Sequence, residues 1–344
     1  MNVKTHSDQS DDAMLRRLQL PWRYATKRSK LQQSPFQCKM INHWVILAVY
    51  ILTFLIGLPA NLLAICTFFK KLGDKPSPND ILLFNLTGSD LVFLLFLPFK
   101  MYEAAVGMKW YLSQTLCSVA SYVFFTTIYT SSLLLMAIAI DRYIGLGFPF
   151  KYRLLRKPLY ATAGSVIIWL VSAAHCSIVF ITVHMPDLNA TLPKTVCYEN
   201  FTEKQKKILL PVRLEMFMVL YILPLLVCIF CYINCIYILY SRPHISKEKK
   251  QRAIGMALCT LTIFLLCFLP YNSSHLVGFS SNNSPSWRYY TLLPTTLNTC
   301  LDPFVFYFSS STFRESKTVS LLKRWCFRHK KTKKSATELG IVAK

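Results

Sequence analysis

Long apolar stretches alternate with shorter polar segments along most of the chain. Seven of these stretches are long enough to cross about 30 Å of hydrocarbon, which takes about 20 residues of helix. They cover residues 44–69, 81–98, 116–140, 160–183, 209–240, 254–277 and 289–308. Backbone polar groups in lipid need hydrogen-bond partners, and a helix supplies them within one segment. The pattern therefore predicts an all-α membrane protein, a seven-transmembrane-helix bundle.

Two flanking segments complete the organisation of the chain. Residues 1–43 precede the bundle of residues 44–308, and residues 309–344 form a basic tail after it. The start of this tail, residues 311–325, can form a short amphipathic eighth helix that lies along the membrane surface.

The composition narrows the class of protein. The 344 residues are 53% hydrophobic and only 16% charged, with a mean hydropathy of +0.36, yet the formal net charge is +23. A disordered polycation lacks this apolar content, and a soluble nucleic-acid binder rarely combines so much Phe, Leu and Ile with so few charges. We therefore expect membrane lipid as a partner, and no nucleic acid.

The basic residues are distributed unevenly between the loops. Twenty-two lie in the loops after spans one, three and five and in the tail, whereas six lie in the opposite loops. Lys and Arg are concentrated in the cytoplasmic loops of membrane proteins. We expect a multi-pass plasma-membrane protein whose tail is cytoplasmic and, because the number of spans is odd, whose N-terminus is extracellular.

The N-terminal segment, residues 1–43, conflicts with that orientation. It carries eight basic residues against three Asp and lacks the apolar core of a signal peptide, which is unusual for a short region that must cross the membrane. We hypothesise that translation begins at Met40 or Met14, so that the basic leader is absent from the mature chain. N-terminal sequencing that finds a protein beginning near Met1 would refute this hypothesis.

Cysteines and glycosylation sequons agree with the topology. Most of the twelve cysteines lie inside apolar stretches, where a free Cys behaves as a small hydrophobe. Cys117 at the outer end of span three and Cys197 in the long outer loop both face an oxidising compartment, which predicts a disulfide between them. Cys326, in the basic tail, is a candidate for palmitoylation. Sequons in the outer loops begin at Asn189, Asn200 and Asn282.

Certain polar residues and prolines recur at characteristic depths in the spans. In chain order they are Asn61, Asp90, Asp141-Arg-Tyr143, Trp169, Pro224, Pro270, and Asn298 followed by Asp302-Pro-Phe-Val-Phe-Tyr307. In this order the set resembles the rhodopsin-like family of G-protein-coupled receptors, over nearly all of residues 40–327.

Local strings narrow the resemblance. They include Cys197-Tyr-Glu-Asn-Phe201, Leu210-Pro-Val-Arg-Leu-Glu215 and Pro270-Tyr-Asn-Ser-Ser-His275. These strings look like the free fatty acid receptors that sense short-chain carboxylates. Two residues depart from wider patterns. Phe268 stands where many rhodopsin-like receptors have Trp, as it does in the fatty acid receptors, and Asp141 stands where the short-chain receptors usually have Glu.

Two arginines are the main candidates for a ligand site. Arg213 and Arg288 lie near the outer ends of spans five and seven, where a buried cation is costly. Snorkelling of both side chains to the surface is the alternative explanation. In a seven-helix bundle the outer ends of spans five, six and seven adjoin, so both guanidinium groups can face one small pocket. Since a guanidinium matches a carboxylate bidentately, we predict that the pair holds a small carboxylate.

Six further residues are candidates for the same pocket. They are His275, Tyr271, Glu199, His175, Tyr129 and Phe125. His275 could donate a hydrogen bond to the carboxylate, and Glu199 could neutralise Arg213 or Arg288 while no ligand is bound. Aromatic side chains four residues apart on span three would limit the depth available to an acyl chain. Packed polar histidines and ordinary core aromatics are the alternatives for these positions.

The resemblance also implies an activation path through the bundle. Asp90, with Ser131 and Asn298, would surround a mid-bundle cavity that binds a sodium ion. Arg142 would pair with Asp141 at rest and contact a heterotrimeric G protein when span six moves outward. Three further residues would take part in the same switch, namely Tyr143, Asp302 and Tyr307. Arrestin is a second expected partner, and we expect no cofactor.

Other classes of protein fit the sequence less well. We find no Gly-rich phosphate loop, metal-ligand spacing or nucleophile elbow that would favour an enzyme. A transporter could use intramembrane Arg and Asp, but the hydropathy shows no inverted repeat. The resemblance to the short-chain fatty acid receptors implies a receptor for acetate, propionate and butyrate that signals through the inhibitory class of Gα. A receptor for a longer fatty acid, a hydroxycarboxylate or a nucleotide is the alternative.

Overall fold

The computed structural model describes residues 42–73, 75–150, 152, 157–185, 196–199 and 201–315. Within these residues the regular structure is helical, as predicted. The helices are α1 (His43–Leu72), α2 (Pro78–Ala105), α3 (Gln114–Gly147), α4 (Pro158–His184), α5 (Glu203–Tyr240), α6 (Lys247–Ser281), α7 (Arg288–Ser309) and α8 (Ser311–Glu315).

The seven long helices correspond to the seven predicted spans. Helices α1 to α6 are each long and apolar enough to cross a membrane. Helix α7 has 22 residues and is more polar, but its polar side chains face other helices. Thr296 and Thr53 place their hydroxyls 3.4 Å apart, and Asn61 donates to the carbonyl of Thr299 at 3.0 Å. These buried hydrogen bonds allow a polar helix in the bundle, and the prediction of a seven-helix bundle is confirmed.

Several helices extend beyond the apolar stretches that predicted them. Helix α5 begins at Glu203 rather than at residue 209, and α6 begins at Lys247 rather than at residue 254. At the start of α5, Thr202 and Gln205 form a capping box in which each side chain bonds the backbone N–H of the other. The capping box stabilises a polar first turn of α5. Because hydropathy detects only apolar segments, it did not predict this turn as helix.

Helices α5 and α6 each contain a π-helical turn. These turns, Phe217–Ile222 and Ile263–Phe268, end just before Pro224 and Pro270, whose rings remove backbone donors. The hydroxyl of Tyr221 donates to the carbonyl of Phe264 at 3.1 Å, which links the two turns. A π-helical turn contains one more residue than an α-helical turn. It therefore rotates the outer half of its helix and changes which side chains there face the bundle interior.

The first turn of the predicted eighth helix packs against the inner ends of α1 and α7. Phe313 of α8 is buried, and its ring packs against the rings of Phe68 and Phe306. The remainder of that helix, Cys326, Asn189, Asn200 and residues 1–41 lie outside the described residues.

Candidate ligand-binding site

Arg213 lies on the inner face of α5 and is only 4% exposed. Its Nη1 donates a hydrogen bond to the hydroxyl of Ser284 at 3.2 Å. Its guanidinium also lies 5.8 Å from the ring centre of Tyr198 and 5.1 Å from that of Phe201. Nη2 is buried and has no hydrogen-bond partner in the described part of the chain. A charged donor is therefore available inside the bundle.

Arg288 is the first residue of α7 and directs its side chain inward. Its Nη2 donates to the hydroxyl of Tyr271 at 2.8 Å, and its Nε is a second buried donor without a partner in the described structure. The guanidinium lies 5.6 Å from the ring centre of Phe125 and 5.2 Å from that of Tyr271. These two rings stack with centres 5.9 Å apart. Cation–π contacts of this kind hold the guanidinium in place without supplying a counter-charge.

His275 joins the site from α6. Its Nε2 lies 3.0 Å from the hydroxyl of Tyr129, and its ring meets that of Tyr271 edge-on at 4.7 Å. Nδ1 is buried and unpartnered among the described residues. The hydroxyl of Tyr129 also donates to Oδ1 of Asn272 at 3.4 Å, so the ring tautomer of His275 decides whether Nδ1 is a donor or an acceptor.

These side chains line one small cavity. Its lining residues are Phe125, Cys176, Ile178, Val179, Tyr198, Arg213, Met216, Tyr271, His275 and Arg288. The list contains two cations and no carboxylate. The free volume is about 10 Å³, enough for about one water molecule, so a ligand must move side chains apart to enter. Two like charges with unused donors make the cavity complementary to a small anion.

Glu199 does not form the expected ion pair with either arginine in the described structure. Its Oε2 accepts a hydrogen bond from the hydroxyl of Tyr289 at 2.5 Å. Burial raises the pKa of this loop carboxyl, and the hydrogen bond from Tyr289 partly offsets the effect. The positive charge of Arg288 also lowers the pKa of Glu199, although the two side chains form no ion pair among the described residues. Glu199 was expected to neutralise Arg213 or Arg288, but in this structure its carboxylate instead accepts a hydrogen bond from the neutral hydroxyl of Tyr289.

His175 does not line the cavity either. Its Nε2 lies 3.0 Å from Oε1 of Glu215, and its Nδ1 lies 2.8 Å from the carbonyl of Val171. The side chains of His175 and Glu215 are 26% and 45% exposed, so the pair lies at the outer surface of the seam between α4 and α5. Sequence position gives the depth of a residue in a span, but the rotation of α4 decides which way it faces.

The disulfide between Cys117 and Cys197 is present, as predicted. It ties the outer loop to the start of α3 and so holds Tyr198, the next residue, in the cavity wall. Sequence reasoning missed Tyr198 and Ser284 as site residues. The only local signal for Ser284 was its place in the sequon of Asn282, which is itself exposed.

A polar cluster lies at mid-depth below the cavity. Asp90 accepts a hydrogen bond from the hydroxyl of Thr299 at 3.3 Å. Ser131, expected beside Asp90, places its hydroxyl 3.3 Å from that of Ser89. Buried oxygens without a hydrogen-bond partner in the described chain are Oδ1 of Asn61, Oδ2 of Asp90, Oδ1 of Asn298 and Oδ1 of Asp302. Carboxylate and amide oxygens of this kind suit a hard cation.

At the inner end, Arg142 contacts α7 rather than its sequence neighbour. It donates to the carbonyl of Ser309 and, at 2.7 Å, to the hydroxyl of Ser309, which itself donates to Asn79 at 2.9 Å. Asp141 accepts a hydrogen bond from Tyr152 at 2.8 Å. Among the described residues Arg142 forms no ion pair with Asp141, because adjacent side chains on a helix diverge. The expected local pairing was wrong.

Asp141, Arg142 and Ser309 are among the residues that line an inner cavity of about 700 Å³, whereas Tyr143 and Tyr307 lie outside its lining. The ring of Tyr143 packs edge-on against that of Phe230, and Tyr307 packs edge-on against Phe308. Phe308 lies directly against Gly255 of α6, where a Cβ would meet the ring at 2.6 Å. Close packing of α6 on α7 depends on this glycine.

Comparisons with known proteins agree with this architecture. Residues 60–306 match the family described as 7 transmembrane receptor (rhodopsin family). The chain is 48% identical to free fatty acid receptor 3 of Mus musculus over 278 residues, which are 79% of this chain and 85% of the relative. It is 45% identical to free fatty acid receptor 2 of Rattus norvegicus over 281 residues, 81% and 85% of the two chains. Free fatty acid receptor 1 of Mesocricetus auratus is 30% identical over 270 residues, 75% and 89% of the two chains.

Proposed function

We propose that this chain, which belongs to the rhodopsin family of seven-transmembrane receptors and within it to the free fatty acid receptors, responds to short-chain fatty acids such as acetate, propionate and butyrate. A member of this family is a multi-pass G-protein-coupled receptor of the plasma membrane and not an enzyme. The ligand carboxylate would be held by Arg213 and Arg288.

The observation that carries the proposal is the set of unused donors in the cavity. Nη2 of Arg213 and Nε of Arg288 are buried donors without partners in the described residues, and Nδ1 of His275 is a third buried polar atom without one. Unpaired buried donors, and cations above all, are costly, and an anion that pairs with them removes that cost. A carboxylate can accept several hydrogen bonds at once.

The small size of the cavity favours short acyl chains. Phe125 and Tyr271 stack across it, and Tyr129 bonds to His275 behind them. Each buried methylene contributes about 0.8 kcal/mol, so an acid of two to four carbons must obtain most of its affinity from the charged contacts. A ligand of so few heavy atoms binds weakly, since efficiency is limited to about 1.5 kcal/mol per atom.

The remaining parts of the proposal concern signalling. We infer coupling to the inhibitory class of Gα, later binding of arrestin, contact of the basic inner loops with anionic lipid, and an extracellular N-terminus. Asp90, Asn298 and Asp302 would hold a sodium ion through oxygens that have no partner in the described structure. Such an ion would neutralise buried carboxylates while the receptor is inactive.

Substitution of the two arginines tests the ligand site. Arg213→Ala and Arg288→Ala should each abolish the G-protein response to propionate at normal surface expression. Lys207→Ala is the matched control, because it removes an exposed cation from α5 outside the cavity and should leave the potency unchanged. A full response of either arginine variant would contradict the proposal.

A panel of acids tests the ligand class. The wild-type receptor should respond to carboxylates of two to four carbons and lose potency towards eighteen carbons. Hydroxycarboxylates and nucleotides complete the panel. If no acid of two to four carbons activates the receptor and another acidic compound does, the proposal of a short-chain fatty acid receptor is wrong.

A further inference from the structure

The last residues of α6 determine the conformation of the loop between α6 and α7. Asn282 adopts a left-handed conformation with φ of 54°, which Asn tolerates better than most residues. The N–H of Asn283 then donates back to the carbonyl of Gly278 at 3.1 Å, and its side chain accepts from the N–H of Ser284 at 2.9 Å. The position of Ser284 is therefore set by backbone hydrogen bonds.

This loop contacts both arginines of the ligand site. At one end the hydroxyl of Ser284 accepts the hydrogen bond from Nη1 of Arg213. At the other end the N–H of Arg288 donates to the carbonyl of Pro285 at 3.2 Å. The two cations come from helices α5 and α7, and a few loop residues connect their surroundings.

We propose that Ser284 is a positioning residue for the carboxylate site. It engages Nη1 of Arg213 from the loop side and so leaves Nη2, the donor without a partner in the described residues, for the ligand. An arginine side chain has high rotamer entropy, and ordering it before binding lowers the cost of binding. The inference rests on the proposed function, because it assigns Ser284 a role at that site.

A loss of potency on substitution of Ser284 could also have a second cause, the loss of a glycan. Ser284 is the third residue of the sequon that begins at exposed Asn282, so its loss would remove a glycan attached there. Threonine retains both the sequon and a hydroxyl, whereas a change at Asn282 removes the sequon and leaves the hydroxyl. The two explanations therefore predict different results.

Three variants separate these explanations in a G-protein assay with propionate, normalised to surface expression. Ser284→Ala should lower potency about tenfold, the effect of losing one hydrogen bond to a charged group, with the maximal response retained. Ser284→Thr and Asn282→Gly should both stay within about twofold of wild type, because Gly removes the sequon and still accepts the left-handed conformation at this position. Wild-type potency in Ser284→Ala, or an equal loss in Asn282→Gly or Ser284→Thr, would overturn the inference.

A double-variant cycle tests whether Ser284 acts through Arg213. In the Arg213→Lys background, which lacks the guanidinium fork, Ser284→Ala should cause no further loss of potency. An undiminished tenfold loss there would show that Ser284 acts elsewhere. If the wild-type receptor ignores propionate and every other carboxylate, the proposed function itself fails, and this inference fails with it.

Discussion

The contact between Gly255 and Phe308 makes a specific prediction about the packing of α6 against α7. Replacement of Gly255 by Ala adds a Cβ that would lie 2.6, 2.8 and 2.9 Å from three atoms of the Phe308 ring. An ordinary contact begins at 3.4 Å, so α6 and the ring must separate by about 0.8 Å. The substitution should therefore destabilise the arrangement in which α6 packs against Phe308, relative to one in which α6 has moved outward.

The magnitude follows from the cost of overpacking. An added methyl group in a close-packed interior costs about 1–3 kcal/mol. Gly255 and Phe308 are half-buried and Phe308 borders the inner cavity, so the ring can turn aside and the cost falls at the lower end, about 1 kcal/mol. The ratio of receptor with α6 moved outward to receptor with α6 packed on Phe308 then rises about 5-fold. The greater helix propensity of Ala, about 1 kcal/mol, stabilises both arrangements equally and does not change the ratio.

Basal nucleotide exchange without added carboxylate, measured per surface receptor, is the assay. Gly164→Ala is the matched control, because a Cβ there meets no atom within 4 Å. The combination of Gly255→Ala with Phe308→Ala should show the basal activity of Phe308→Ala alone, since the clash is absent. Basal activity of Gly255→Ala equal to that of the control would refute the reasoning.

Three further predictions concern other parts of the molecule. Ser309→Ala removes a hydroxyl that bonds Arg142 and should raise basal nucleotide exchange several-fold; an unchanged basal rate would contradict this role. Asp90→Asn should abolish the effect of sodium on propionate potency, and a persisting sodium effect would exclude this site. The raised pKa of Glu199 means that acidification neutralises it earlier than an exposed glutamate, which should favour an anionic ligand near Arg288. Glu199→Gln should therefore raise propionate potency at neutral pH and remove the gain on mild acidification; an undiminished gain in this variant would count against the prediction.

Much of the site could be predicted because its members carry strong local signals. Arg213 and His275 are polar residues inside apolar stretches and Arg288 directly precedes one, and such residues need a structural or functional partner. The partners themselves had no local signal. Ser284, which bonds Arg213 from 71 residues away, is an ordinary serine in a polar loop. Tyr198 likewise becomes a wall residue only because the disulfide holds its loop over the bundle.

The sequence by itself determined which segments enter the membrane, because the transfer of each residue into hydrocarbon depends mainly on its own side chain. It also determined the depth of each polar residue. Only the tertiary structure decided the direction in which these residues face. The rotation of α4 sends His175 to the bundle surface, and the inward reach of the Arg142 side chain from α3 joins it to Ser309 of α7 across 167 residues. Helix rotation depends on packing with all neighbours and on the π-helical turns, and no single segment of sequence specifies it.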